Sequence, residues 1–511
     1  MKRIAWMALA SIAAFAAGCD GGGGGPADDA PDSESPEGIE APDVSDATDI
    51  PADEAEDLAE DIPADEGDGP PPVTDCGTVT CYCVSSAAAG RGDGTDWTNA
   101  FTALPEELER GAVYLVADGS YPDYTFDDPV IEDRWITVLK ATGADHGTDV
   151  GWEAGLGDGA AEIGPVAFHT SFHVFDGKTG GGRGGYRAGH GFVISLLEGG
   201  YGITIGSPWG SPEERDQDRT DITVRHVEVH GTSPPLPCND VGGGGILIAS
   251  AATWHSNLVF SHLWLHDLAI QMQGGPMREV VLEDSLLERN ASTAECHSEA
   301  WAAWGPSENV TVRHNVFSDI VGTAVIALGR GDSWDVYNNV FTCAQDHPYG
   351  CGVGNGIIGV TDHPEEQANH WRVHHNVFVN LAGGYNGGLD MISSEAGIAE
   401  DNLAYNNVWF NNQVGVGFGG VDHDYSLFIQ NVDGTTPIDE SLASTETHAE
   451  VGSADPFVDW AGGDFHLQAA TAAGLALPAP FDTDPDGCLR GADGVWDRGL
   501  HEYSETPCTT P

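Results

Sequence analysis

From Ile222 onward the chain repeats one pattern: a short run with apolar residues at alternate positions, a polar pair, then a second short apolar run. Alternation with a period of two places one set of side chains on one face of a β-strand, so each run predicts a strand with an inward apolar edge. In register the segments are ITVRHVEVHG from Ile222, LVFSHLWLHD from Leu258, VVLEDSLLER from Val280, VTVRHNVFSD from Val310, WDVYNNVFTC from Trp334, WRVHHNVFVN from Trp371 and NLAYNNVWFN from Asn402. Their starts lie 36, 22, 30, 24, 37 and 31 residues apart, the longer spacings carrying inserted loops. A third run follows in each repeat: GGILIAS, LAIQMQ, EAWAAWG, GTAVIALG, NGIIGVT, GLDMISS and VGVGFGG. Three short strands per repeat predict an all-β, single-stranded parallel β-helix whose coils lie ~4.8 Å apart, with equivalent side chains stacked in ladders.

Two such ladders occupy the polar pair. One runs Val227, Leu263, Ser285, Asn315, Asn339, Asn376 and Asn407. Asn at a tight corner is expected to adopt the left-handed conformation and to bond the amide of the next coil. The residues just before it are His226, His262, Asp284, His314, Asn338, His375 and Asn406. This column reads as structural: Asp and Asn interrupt the imidazoles, whereas a metal needs ligands converging on one point. Glu283 precedes Arg313 by one rung and Asp335 precedes Arg372, which predicts cross-strand ion pairs.

The N-terminus reads differently. Lys2 and Arg3, an apolar stretch from Ile4 to Phe15, and Ala16, Ala17 and Gly18 before Cys19 look like a bacterial lipoprotein signal. The resemblance implies removal of residues 1–18, acylation of Cys19, and a lipid anchor in the cell envelope, at the outer membrane or cell surface. Residues 19–75 form a Gly/Pro-rich acidic linker with 20 carboxylates and no Lys or Arg, a composition that cannot bury a core and is expected to be disordered. Residues 76–511 make the β-helix domain. The net charge is -62; without the linker acids, Lys2 and Arg3, 61 acids still face 17 bases. That excludes a general nucleic-acid binder, which needs a cationic footprint. A monomer is expected. Beyond Cys19 there are nine cysteines. Export favours disulfides, with Cys343–Cys351 and Cys488–Cys508 as local pairs, Cys238–Cys296 tying two loops, and Cys76, Cys81 and Cys83 competing for one bridge.

The repeats resemble the right-handed parallel β-helix superfamily of pectate lyases and carbohydrate-binding sugar-hydrolase repeats over roughly residues 79–505. YCVSSAAAGRGDGTDWTNAFTALP followed by GAVYLVADGSY is similar to the cap that opens such solenoids, implying a short helix around Asn99 to Arg110. DPFVDWAGGDFHLQAATAAG with DGVWDRGLHEY is similar to their closing segment. The resemblance implies that polysaccharide lies along the outer face of the sheet made by GGILIAS through VGVGFGG, beside the loops leading into it. Those loops bring Asp240, His266, Asp267, Asp346, His347, Tyr385, Asn386 and Asp390 to one side as candidate substrate-binding residues.

Within the same loops, Glu295, His297 and Glu299 of ECHSEAWAAW, with Tyr349, are the candidate catalytic groups, since a His beside carboxylates serves as a proton-transfer base. Trp301 and Trp304 read as core residues rather than a pair stacking on a sugar, because a spacing of three does not put both on the same face of a strand. No Lys follows Lys178, so a lysine base in the repeat core is unsupported. A GHG at Gly189 to Gly191 reads as a turn. DTDPDG at Asp482 to Gly487 offers Asp482, Asp484 and Asp486 at alternate positions, with Asp493 closing, as a Ca²⁺ loop requires. The functional expectation is a surface-tethered polysaccharide lyase or glycoside hydrolase, with a non-catalytic glycan-binding, adhesion or structural envelope solenoid as the alternative.

Overall fold

A computed structural model describes residues 76–504 except 197–199, 233–243, 291–297, 323, 345–351, 354–356, 361–367, 383–387, 391 and 394–400. Cys19 and the acidic linker therefore lie outside the described residues. The body is a right-handed parallel β-helix. Its first sheet stacks strands from Cys81–Val84 through Val113–Val116, Thr220–Arg225 and His255–Ser261 to Asp422–Asp424. The second runs from Tyr124–Phe126 through Tyr201–Ile205, Gly244–Ile248 and Ile270–Gly274 to Ile392–Ser393. The third runs from Gly119–Tyr121 to Glu450–Gly452. Trp301–Arg313 and Ile326–Tyr337 turn the corner from second to first sheet without breaking, with a register irregularity between Ala303 and Pro306. Among the described residues no helix is long and apolar enough to cross a membrane.

The inward columns follow the apolar alternation. Phe317, Phe341, Phe378 and Trp409 stack with centroids 4.9, 4.9 and 4.2 Å apart, and Trp334 stacks on Trp371 in a second buried column with Trp301 packed against it. Trp301 is thus core, as its spacing predicts; the Trp304 side chain lies outside the described set.

The polar corner departs from expectation in one respect. The left-handed residues are the column before the Asn ladder: His226, His262, Asp284, His314, Asn338, His375 and Asn406 have φ between 47° and 60°. A short polar side chain or an imidazole tolerates this conformation better than a β-branched one. The Asn side chains instead point inward and bond backward. Oδ1 of Asn315, Asn339, Asn376 and Asn407 accepts from the amides of Ser285, Asn315, Asn339 and Asn376 at 2.9–3.0 Å. Their Nδ2 groups donate to carbonyls such as Val312 and Val336. Each buried corner amide therefore has a partner. The ion pairs form as predicted, with Arg313 donating to Glu283 at 2.9 and 3.0 Å and Arg372 to Asp335 at 2.5 and 2.9 Å.

Segment 99–110 is a run of turns rather than the expected helix. Side chains take amides that a helix would have used: Asp128 accepts from Leu108 N at 2.6 Å and the Tyr114 hydroxyl from Glu109 N at 2.7 Å. Leu108 still plugs the core. Cys76 bridges Cys81, leaving Cys83 as a buried thiol that burial, helped by Asp96, pushes up to about 12. Cys343 and Cys488 are each disulfide-bonded, while Cys351, Cys508, Cys238 and Cys296 lie outside the described residues.

Candidate functional site

The face expected to carry polysaccharide is the outer side of the second sheet. Register places Thr204, Leu247, Gln273 and Ala302 in one column there, alternating with the buried Ile203, Ile246, Met272 and Trp301. At its edge the SPWGSPEER loop presents Trp209, which is 76% exposed and whose ring centroid lies 6.5 Å from that of Tyr201. Gln273 donates to the Tyr201 hydroxyl across the sheet. A capping box ties the loop down: Ser211 and Glu214 exchange bonds around the short helix Pro212–Arg215. The sequence reading missed Trp209 and Tyr201. Their signal was an aromatic in a Ser/Pro/Gly loop, where no apolar alternation accounts for it.

Of the predicted loop residues, His266 and Asp267 enter one ionic network. His266 Nδ1 lies 2.6 Å from Asp267 Oδ2, and its Nε2 lies 3.2 Å from Glu228 Oε1. Arg289 donates to Asp267 at 2.9 and 3.0 Å and also to Glu288, which Arg187 engages from the Gly-rich loop 177–191. Trp264 Nε1 donates to Glu288 at 2.9 Å. Burial disfavours the ionised carboxyl of Asp267, but bonds from His266 and Arg289 outweigh it and hold its pKa low. Burial likewise opposes His266 protonation, and Asp267 and Glu228 reverse it, so its pKa is raised. Glu288 is held low by Arg187 and Arg289 despite complete burial. Arg187, Arg289 and His266 thus face Asp267, Glu228 and Glu288, an arrangement whose groups already hold one another.

Of the other predicted loop residues, two fall among the described residues. Glu299 is fully buried where the chain enters Trp301–Arg313. Asp390 sits in strand Gly388–Asp390, paired with Gly417. Asp240, Glu295, His297, Asp346, His347, Tyr349, Tyr385 and Asn386 lie outside the described residues. The GHG lies in irregular backbone rather than the expected turn, with buried His190 near Trp264. A Cβ at Gly181, where φ is +70°, would lie 2.6 Å from the His262 carbonyl, so this loop can lie flat on the coil only with glycine there.

A second feature lies on the outer face of the third sheet. Loop 177–191 covers the coils on one side, through Arg183 bonded to Asp284 and Tyr186 bonded to the His314 carbonyl. The C-terminal tail covers the other, packing Phe457, Phe465, Leu467 and Leu500 on Val377, Phe410 and Ile429. Between them opens a cleft of about 1110 Å³ floored by Val316, Ser318, Val340 and Thr342. Of the acids expected to bind Ca²⁺, Asp486 lines this cleft, and Asp484, Asp486 and Asp493 have divided duties. Asp484 accepts the amides of Asp486, Cys488 and Glu502 at 2.8–3.0 Å. Exposed Asp493 accepts from Val495 N, and Asp486 turns to His466 and His501. The neighbouring His501 imidazole, and then His466, which bonds it, hold the Asp486 carboxyl low, while burial works against them.

No protein-family profile matches this chain, and no curated protein sequence does. Among solved structures, the chain is similar to the pectate lyase Pel9A (13% identity, TM-score 0.40, covering 84% of this chain and 100% of that one). It is similar to a PL6 family polysaccharide lyase from Pseudopedobacter saltans (11%, TM-score 0.34, 77% and 96%). A third is the GH136 lacto-N-biosidase from Eubacterium ramulus (11%, TM-score 0.31, 73% and 68%). The description of the fold rests on the strand register itself.

Proposed function

We propose that this protein is an exported, lipid-anchored solenoid that engages extracellular polysaccharide along the outer face of its second sheet. The observation that carries the reading is Trp209, held three-quarters exposed beside Tyr201 at the edge of the column Thr204, Leu247, Gln273 and Ala302. A large aromatic face presented to water by an anchored loop suits the apolar face of a sugar ring. The loops that carry His297, Glu295 and Tyr349 lead into the same sheet, so lyase-like chemistry is assigned there, with His297 as base. The non-catalytic reading has its own support: His266 and Asp267 are committed to the Arg289 network, and Glu299 is buried.

A panel of neutral and uronate polysaccharides, with and without Ca²⁺, tests both. Binding, absorbance from unsaturated uronate ends, and reducing-end release are followed together. Lyase action produces the absorbance signal; hydrolysis produces reducing ends alone. Trp209→Ala should weaken binding about tenfold, or about 1.4 kcal/mol. Binding without either product signal leaves the non-catalytic reading, and no binding to any polymer sinks the proposal.

A further inference from the structure

Among the described residues one group brings three metal-competent side chains together: His466, Asp486 and His501, with ligand atoms all within 4.8 Å of one another. They come from three separate parts of the tail. His466 lies in the hairpin strand Asp464–Leu467, Asp486 sits in the turn held by Asp484, and His501 follows the segment anchored by Arg498. His466 Nε2 lies 2.7 Å from Asp486 Oδ2, and His501 Nδ1 lies 3.5 Å from the same oxygen. Tetrahedral ligands at about 2.0–2.1 Å from a zinc ion sit roughly 3.3 Å apart, a separation these two distances bracket. His501 is only 8% exposed, and its Nδ1, directed at this point, makes no hydrogen bond.

The surroundings supply the rest of a metal site. Asp464 Oδ1 lies 2.7 Å from His466 Nδ1, which fixes the ring with Nε2 toward Asp486, the carboxylate–imidazole arrangement that orients metal ligands. All three side chains line the 1110 Å³ cleft, so a fourth coordination position would open into it. Two imidazoles and one carboxylate suit a borderline divalent transition ion. Ca²⁺, which takes six to eight oxygens, finds too few here.

The geometry points to a divalent transition-metal site, of the Zn²⁺ class, formed by His466, Asp486 and His501 on the tail-side wall of this cleft, with Asp464 as the orienting residue. It stands on a different sheet from the glycan face, so the two proposals fail separately.

Tag-free full-length protein, stripped with chelator, is titrated calorimetrically with ZnCl₂ and with CaCl₂. One Zn²⁺ per chain is expected at micromolar affinity or tighter, undisturbed by excess Ca²⁺. His466→Gln, half-exposed at the surface, should weaken it by more than tenfold, His501→Gln similarly, and Asp464→Asn by about tenfold. His448→Gln, a His outside the cluster whose ring pairs with Asp424, should change nothing. Co²⁺ added to the unmodified chain should give the visible bands of a tetrahedral nitrogen–oxygen site, a readout that needs no variant to fold. Absence of stoichiometric Zn²⁺ uptake, uptake unaltered by both His variants, or displacement by equimolar Ca²⁺ would overturn the assignment.

Discussion

The fully buried Asn376 side chain is held by four hydrogen bonds: its Oδ1 accepts from Asn339 N and Nδ2, and its Nδ2 donates to the Val336 carbonyl and to Asn407 Oδ1. Asn376→Ala orphans a buried amide and a buried carbonyl at once, so urea unfolding should show a loss of about 3 kcal/mol. A loss below about 1 kcal/mol would mean the corner relaxes to find other partners. His255 is a second residue whose state matters. Its Nδ1 accepts from Arg219 N, its Nε2 faces the Ala249 carbonyl, and burial, foremost, lowers its pKa from 6.5 to about 4. The unfolded chain takes up a proton near 6.5 that the folded chain refuses until about 4, so stability is full above 6.5 and falls as pH drops through that window. Thermal melts across this range should show the decline, and His255→Gln should make it shallower. An unchanged slope in the variant would remove His255 as a contributor.

At the scale of elements, the sequence disclosed strands by alternation and the corner by its Asn column, since both are local and repeat at every rung. It did not disclose a further ladder after the third sheet, where Asn412 accepts from Leu381 N, Asn431 from Asn412 N and Asp439 from Asn431 N. Only two of those coils carry Asn, too few to stand out in a string. The Arg289 network was half legible: His266 and Asp267 were singled out, but their partners Glu288, Arg289 and Arg187 arrive from another rung and from a loop about a hundred residues upstream. Arg289→Met should cost about 3 kcal/mol by thermal unfolding, because it strips a cation from two buried carboxylates. Arg187→Met, whose side chain is mostly exposed, should cost about 1 kcal/mol or less. Equal effects would contradict this ranking. The missing helix over 99–110 makes the same point, since capturing its amides needed Asp128 and Tyr114 from the coil itself.

At the scale of the molecule, charge and anchorage belong together. Most of the acidic excess, 61 acids against 17 bases, sits in the body, and the rest is concentrated in a linker that follows Cys19. Cys19→Ser should move the protein from the detergent to the aqueous phase on partitioning, because the acyl chains are the proposed anchor. A variant that stays in the detergent phase would show that something else holds the membrane. The body's charge opposes polyanions, so uronate polymers should bind more weakly at low ionic strength than in salt, whereas neutral glycans should be indifferent.

Sequence alone determined the β-helix, its rung spacing, its polar corner columns and its cross-rung ion pairs, because each depends on residues recurring at equivalent positions in successive coils. Tertiary structure decided which column takes the left-handed turn, which cysteines pair near the N-terminus, and where the tail lies. It also decided the two surfaces of interest. Trp209 meets Tyr201 and Gln273 only after the strands stack. His466, Asp486 and His501 meet only when the tail folds back on the third sheet. Neither meeting follows a period, since each joins segments set by loop closure and packing, and no repeat in the chain records where a loop will come to rest.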